Sequence, residues 1–218
     1  MFTPSLRPVC LTVTLLGAAF STSPIAAQTT DAGTLLVRIH DREAGTESFS
    51  VTTTANGITI SSHVVFTGSR PVPEFTASLD RVSGEEFAFQ LETRGPAGGG
   101  QTYAVQKRNR LTVRRVARGA EQATELPGGA AVIILADSVF SPYMQAAVLA
   151  TAAGRALTAV LLPDARRVAF TASRSTSADG STIRLTGGVV AEIQLGSRGE
   201  LLRIFLPGPG IEAVRQRD

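Results

Sequence analysis

Cysteine is almost absent from this sequence: Cys10 is the only one in 218 residues. It lies in the N-terminal apolar stretch, too early to become a lipid-bearing first residue after cleavage. Residues 28–218 therefore carry no thiol, no disulfide and no thiolate metal ligand. Tryptophan is missing, and histidine is reduced to His40 and His63. Two distant histidines without a mature cysteine do not supply a structural zinc shell, and His40 and Asp41 face opposite ways on an extended chain. There is no Asp-rich calcium loop, and the glycine-rich stretch 95–100 lacks the lysine and hydroxyl of a phosphate loop. No metal and no cofactor is expected. Lysine is as scarce, with Lys107 alone, so nearly all positive charge is arginine. Arginine, alanine, glycine and valine in place of lysine and asparagine point to a GC-rich bacterial genome.

Long apolar runs are also missing, with one exception at the start. Residues 1–27 read as a secretory signal peptide: Arg7, an apolar core over 9–20, and small residues Ala26 and Ala27 before the expected cut at Gln28. The core is well short of the ~20 residues that span a bilayer. The expected mature chain, 28–218, is a single exported domain, periplasmic or extracellular, without a membrane span. Loss of Arg7 leaves 20 basic against 18 acidic side chains. That balance, without interleaved aromatics, argues against a nucleic-acid partner.

What the sequence does have is period-two alternation. Phe49, Val51 and Thr53 share one face of a strand, and Ile58 and Ile60 share one face of the next. Asn56-Gly57 between them is a strong hairpin signal, because both residues accept positive φ. Phe87, Phe89 and Leu91 form a further stripe, and 101–106 and 110–116 pair around Arg108-Asn109. Further strands are expected at 34–40, 47–54, 74–80, 157–162, 167–172, 182–186, 189–195 and 201–206. Short turns between strands favour an antiparallel meander. The last strand ends at Pro207, and the tail beyond is polar with Ile211 and Val214 as anchors.

Residues 130–154 break the pattern. Ala130-Ala131-Val132-Ile133-Ile134-Leu135-Ala136 is continuously apolar and suits a strand buried on both sides. Ser141-Pro142 then opens a short α-helix over 141–153, stopped at Gly154. Tyr143, Met144, Ala147, Val148 and Thr151 lie on one face of it, and Ala146, Ala150 and Ala153 keep the other narrow. The expected fold is mostly β: one large curved antiparallel sheet or half-barrel, with this one short helix resting on it or inside it.

Few residues point to chemistry. Asp137-Ser138 follows a buried strand as a nucleophile elbow does, but lacks the glycines that relieve the elbow's strained turn. The plainer reading is a strand end and a turn, and no catalytic residue is assigned. Lys107, Arg108, Arg110, Arg114, Arg115 and Arg118 cluster within a dozen positions. Arg110, Thr112 and Arg114 share one strand face, while Leu111, Val113 and Arg115 share the other. Arg108, Arg110 and Arg114 are candidates for an anion-facing rim, against the plainer reading of a solvated face balanced by Glu86, Glu92 and Glu121. Phe140, Tyr143 and Met144 are either core or the lining of a hydrophobic groove.

Three segments carry a family resemblance: Gly45-Thr46-Glu47-Ser48-Phe49-Ser50-Val51, Val132-Ile133-Ile134-Leu135-Ala136-Asp137 with Tyr143 following, and Gly199-Glu200-Leu201-Leu202-Arg203-Ile204-Phe205-Leu206-Pro207. Together they resemble bacterial exported proteins with half-barrels like those of the periplasmic lipoprotein carriers of the Lol system. The resemblance implies a sheet wrapped around helices that shields an acyl chain, with Phe140, Tyr143 and Met144 looking into the concave side. This chain departs from the carriers in having no evident second or third helix. The functional expectation is a non-enzymatic cell-envelope protein that binds a lipid, a lipoprotein or another hydrophobic ligand in the concave side of the sheet. The alternatives are an envelope interaction or scaffold module and, last, a serine hydrolase using Ser138.

Overall fold

The computed structural model describes residues 28–216 apart from positions 56, 69–72, 84 and 96–97. The expected leader, 1–27, and Asn56 of the Asn-Gly turn lie outside the described residues. The first eight strands are β1 (Thr29–Ile39), β2 (Arg42–Thr53), β3 (Ile58–Phe66), β4 (Glu74–Ser83), β5 (Glu86–Arg94), β6 (Gly100–Lys107), β7 (Arg110–Ala117) and β8 (Ala120–Pro127). Strand β9 (Val132–Ala136) leads through a 3-10 turn (Ser141–Tyr143) into helix α1 (Met144–Leu149). The chain then continues through β10 (Arg155–Leu162), β11 (Arg166–Ser177), β12 (Gly180–Gly187), β13 (Ala191–Gly196), β14 (Leu201–Leu206) and β15 (Ile211–Arg215).

All fifteen strands belong to one sheet, ordered β8-β7-β6-β5-β4-β3-β2-β1-β15-β14-β13-β12-β11-β10-β9. The chain runs outward from β1 to the β8 edge, crosses to the opposite edge at β9, and returns until β15 pairs with β1. Laid flat, edges fourteen spacings apart would be separated by about 65 Å. Yet Pro127 and Val132 are joined by only residues 128–131, a reach of about 18 Å. The sheet must therefore roll, and its inner face becomes the core. Inner positions alternate as the strand period requires: Phe49 and Val51, Ile58, Ile60 and Val64, Ala77 and Leu79, Phe87, Phe89 and Leu91, Leu111 and Val113 are all buried.

Every pairing is antiparallel except β9 with β10, which is parallel in the register Leu162↔Ala136. This departs from a purely antiparallel meander and explains why the fold has a helix at all. Parallel neighbours need a crossover, and 137–154 carry the chain back along the strand's length. The helix is shorter than expected from alanine content. It ends at Leu149, Ala150 is already extended (ψ 143°), and Thr151 bridges to Ser173 beside β11. Its buried face also differs from expectation: Val148 is exposed, whereas Gln145 and Ala146 are buried with Met144 and Ala147. The crossover is held on several sides, so its small and polar residues, rather than Val148, meet the sheet.

Two strands had no counterpart in the sequence reading. β8 is exposed apart from half-buried Leu126, so no apolar alternation marks it. β15 lies in the polar tail, and its pairing with β1 (Ala213 opposite Val37) depends on a partner at the other end of the chain. Among the described residues, no helix is long and apolar enough to cross a membrane.

Candidate functional site

A cavity of about 560 Å³ opens at the end of the roll where β9 and β10 finish side by side. One wall comes from Ala136, Asp137 and Ser138 after β9 and from Leu162 and Pro163 after β10. The other comes from the inner face of the first meander: Phe75 of β4, Leu91 and Thr93 of β5, Thr102 of β6 and Arg115 of β7. Arg118, in the turn after β7, completes the rim with the glycines of 98–100. Arg118 has a left-handed backbone (φ 51°) at the first turn position, before Gly119. Leu91, Thr102, Ala136 and Leu162 are the buried part of the lining, and Arg115, Arg118, Asp137 and Pro163 are its exposed part. It carries two guanidinium groups and one carboxylate, Asp137.

The cavity owes its charge to strand parity. Leu111, Val113 and Arg115 share the inner face of β7; the first two are buried, and Arg115 comes out at the open end. Arg110 and Arg114, on the outer face, are ion-paired across to β8, Arg110 with Glu125 and Arg114 Nε with Glu121 at 2.6 Å. Arg114 Nη2 also donates to Glu121 at 2.7 Å, and this contact raises the arginine's pKa. Arg108 lies in the β6–β7 turn with φ 55°, at the opposite end of these strands from the cavity. Of the arginine cluster, the cavity takes Arg115 and Arg118; the expected rim residues Arg108, Arg110 and Arg114 do not line it.

Phe140, Tyr143 and Met144 are buried in the core, at 1%, 8% and 4% exposure, and do not line the cavity. Burial pushes the Tyr143 hydroxyl up to about 12, and the nearby charge of Asp137 adds to the effect. Asp137 is exposed and Ser138 half-buried in the turn that follows β9. Neither histidine lines the cavity that holds Ser138. His63 is exposed on β3 with Nδ1 3.3 Å from the Thr76 hydroxyl, and His40 occupies the β1–β2 turn with φ 48°. Among the described residues, no group of three or more His, Cys, Asp or Glu side chains comes together as a metal site.

Behind the cavity lies a set of buried polar side chains that sequence reading passed over. Glu47 is fully buried on the inner face of β2, in phase with Phe49 and Val51. Its carboxyl accepts from the Ser62 hydroxyl at 2.7 Å, from the Ser141 amide at 2.9 Å and from the Phe140 amide at 2.8 Å. It thereby fastens the start of the crossover to the first meander. Burial pushes its pKa up, and the donors from Ser62, Ser141 and Phe140 pull it part of the way back. Arg81, in phase with Ala77 and Leu79, donates to the Val132 carbonyl at 2.5 Å and lies over the Phe87 ring. Its burial lowers the guanidinium pKa to about 10. Gln106 of β6 donates to the Glu85 and Gly129 carbonyls and accepts from the Gly129 amide. Gln145 of α1 both accepts from the Ile134 amide and donates to the Ile134 carbonyl. These groups reach from one half of the sheet, or from the crossover, to β9 and its flanks, and they hold the wall of the cavity in place. Parity was the available signal: Glu47 stands two residues before buried Phe49, Arg81 two after buried Leu79 and Gln106 two after buried Ala104.

Comparisons with protein-family models, with curated proteins and with solved structures each returned no match.

Proposed function

We propose that this chain is a non-enzymatic cell-envelope protein that binds a lipid or another hydrophobic ligand on the inner side of its curved sheet, in the cavity at the ends of β9 and β10. The observation that carries this reading is the combination of size and lining. About 560 Å³ falls inside the range of ~300–1,000 Å³ typical of small-molecule sites, and Phe75, Leu91, Ala136, Leu162 and Pro163 give it an apolar wall beside its polar groups. The leader read in residues 1–27 supports an envelope location, and the resemblance to lipoprotein carriers supports an acyl ligand. A hydrolase built on Ser138 has less behind it, because neither histidine reaches that turn.

The test is to purify the protein from envelope extracts and analyse what co-purifies by organic extraction and native mass spectrometry. A stoichiometric lipid, lost on Thr93→Trp, is the expected result; Thr93 is half-buried and lines the cavity, so the indole fills it. An empty protein that takes up no added lipid would remove this function.

A second reading, an envelope interaction module, is favoured by one observation: β8 is exposed apart from half-buried Leu126, and among the described residues its outer edge has no neighbouring strand. A reproducible partner in pull-downs, lost when β8 is altered and kept when Thr93 is altered, would favour it instead.

A further inference from the structure

The aromatic residues of the first meander divide unequally between the two faces of the sheet. Phe49, Phe87 and Phe89 are buried on the inner face, and Phe66 and Phe75 share that parity. Tyr103 is the exception: it lies between buried Thr102 and buried Ala104 and so points to the outer face of β6. Among the described residues it is the one aromatic side chain on the outer face of β1–β8. It is half-buried opposite Arg114 of β7, with Gln101 and Val105 beside it on β6 and Val116 and Thr112 across from them. Together these side chains line a second cavity, of about 510 Å³. Val105 is 41% exposed, so this face offers apolar area that the fold itself does not cover.

The polar groups around the ring are already paired with one another. The Tyr103 hydroxyl donates to Gln101 Oε1 at 2.7 Å, which fixes the ring and leaves the Gln101 amide nitrogen as a donor. Arg114 is the only charged residue in the lining, and Glu121 meets its Nε at 2.6 Å and its Nη2 at 2.7 Å. The cavity therefore has no excess charge with which to select an ion. From Tyr103 the outer-face row continues through Gln90 of β5, Ser78 of β4, Ser61 of β3 and Ser50 of β2. These are uncharged hydrogen-bonding groups about 4.8 Å apart, a spacing close to the length of one sugar unit.

We infer that this outer face binds an uncharged glycan, one pyranose ring stacked on Tyr103 and the chain crossing the strands toward Ser50. A pyranose has an apolar face of C–H groups and a rim of hydroxyls that both donate and accept. The Tyr103 ring with Val105 and Val116 matches the face, and Gln101, Thr112 and the Arg114–Glu121 pair match the rim. A lipid tail would leave those rim groups without partners, and an ion would find its counter-charge already taken. The site is on the opposite face of the sheet from the cavity at the ends of β9 and β10, and it does not depend on the lipid reading.

The test titrates the whole purified protein with cellohexaose, chitohexaose and maltohexaose, and with hexagalacturonate as the charged comparison. Calorimetry is expected to show one equivalent of at least one neutral hexasaccharide bound, and hexagalacturonate about tenfold weaker or worse. Tyr103→Ala is expected to weaken the neutral chain about tenfold or more, and Tyr103→Phe, which keeps the ring, by under about threefold. Val105→Asp sets a charge beside the ring at an exposed position where the fold is not at risk, and is expected to weaken binding about fivefold or more. Thr93→Trp, in the other cavity, is expected to leave the glycan bound as in the parent. Unchanged affinity in folded Tyr103→Ala or in Val105→Asp, or hexagalacturonate bound as tightly as the neutral chains, overturns the inference. Failure of all three neutral hexasaccharides to bind overturns it as well, and none of these results bears on lipid binding.

Discussion

The two edges of the sheet, β8 and β9, face the same physical problem and meet it in opposite ways. An edge strand exposes a row of unpaired amides and carbonyls that invites pairing with another chain. β9 is five residues of Val, Ile, Leu and Ala, buried throughout, so water cannot satisfy its free side. Protein groups do so. The Val132 amide donates to the Gly129 carbonyl at 3.1 Å, and the Val132 carbonyl accepts from Arg81. Ile134 exchanges two hydrogen bonds with the Gln145 side chain, which acts there as a short piece of strand. The Ala136 carbonyl accepts from the Val139 amide at 3.4 Å. β8 is left to solvent, with Glu121, Glu125 and Pro127 along it. Charge and proline discourage pairing with a neighbour, and water completes the hydrogen bonds. An edge is tolerable when it is wet and charged or when it is dry and fully accounted for.

The comparison breaks most readily at β9. Leu135→Ala should cost about 2–5 kcal/mol in chemical denaturation, because the residue is enclosed on both faces; Leu126→Ala on β8 should cost under about 1 kcal/mol. Equal losses at the two positions would contradict the contrast.

Next is Gln145→Leu, which keeps the bulk and removes both partners of Ile134. Two buried backbone groups left unpaired should destabilise by about 2–4 kcal/mol, read as a lower denaturation midpoint with unchanged slope. The result would be most informative alongside a ligand assay, since β9 walls the cavity.

Glu47→Gln should cost somewhat less, about 1–3 kcal/mol, because an amide nitrogen replaces one of the carboxylate oxygens facing the Phe140 and Ser141 amides. It should also change the pH dependence. Burial raises the Glu47 pKa above its ordinary 4.5, so the folded chain holds this proton more tightly than the unfolded chain. The group's contribution is therefore complete below about pH 4.5 and is lost as pH rises through the folded-state value. The variant should lack that component of the decline with rising pH in a series of denaturation curves. A decline identical to that of the parent would show the carboxyl is not responsible.

The smallest effect on stability is expected at β8. Glu121→Ala and Glu125→Ala remove exposed ion pairs with Arg114 and Arg110, and the melting temperature should not move measurably. The sharper outcome lies in association: Glu121→Val with Glu125→Val should produce concentration-dependent self-association in light scattering, since the edge loses its charge and gains β-branched side chains. A variant that stays monodisperse would show that something other than charge protects this edge.

Much of this architecture can be read from residue order. The alternation in Phe49-Ser50-Val51 and Phe87-Ala88-Phe89-Gln90-Leu91 marks strands with one dry face, and the unbroken run from Val132 to Ala136 marks a strand with two. Ser141-Pro142 marks where the crossover tightens into a turn. β8 left no such mark, because alternation reports burial and nothing in β8 is buried deeply. The cavity was harder still. Its lining comes from β4, β5, β6, β7 and the ends of β9 and β10, segments up to 88 positions apart in sequence (Phe75 to Pro163) that no local pattern links. Arg115 could be placed opposite Arg114 by parity, yet only rolling the sheet makes one of those faces an interior and the other an exterior.

Local order thus settles which residues are strand and which side of each strand is apolar, since those follow from a two-residue period and the cost of wetting hydrocarbon. Which strands become neighbours, that β9 runs parallel to β10, that Glu47, Arg81 and Gln106 end up as internal ties, and that a cavity opens beside Arg115 all come from closure of the roll. Those outcomes depend on contacts between residues far apart in the chain, and a short-range pattern carries no information about which distant partner will satisfy a buried amide or charge.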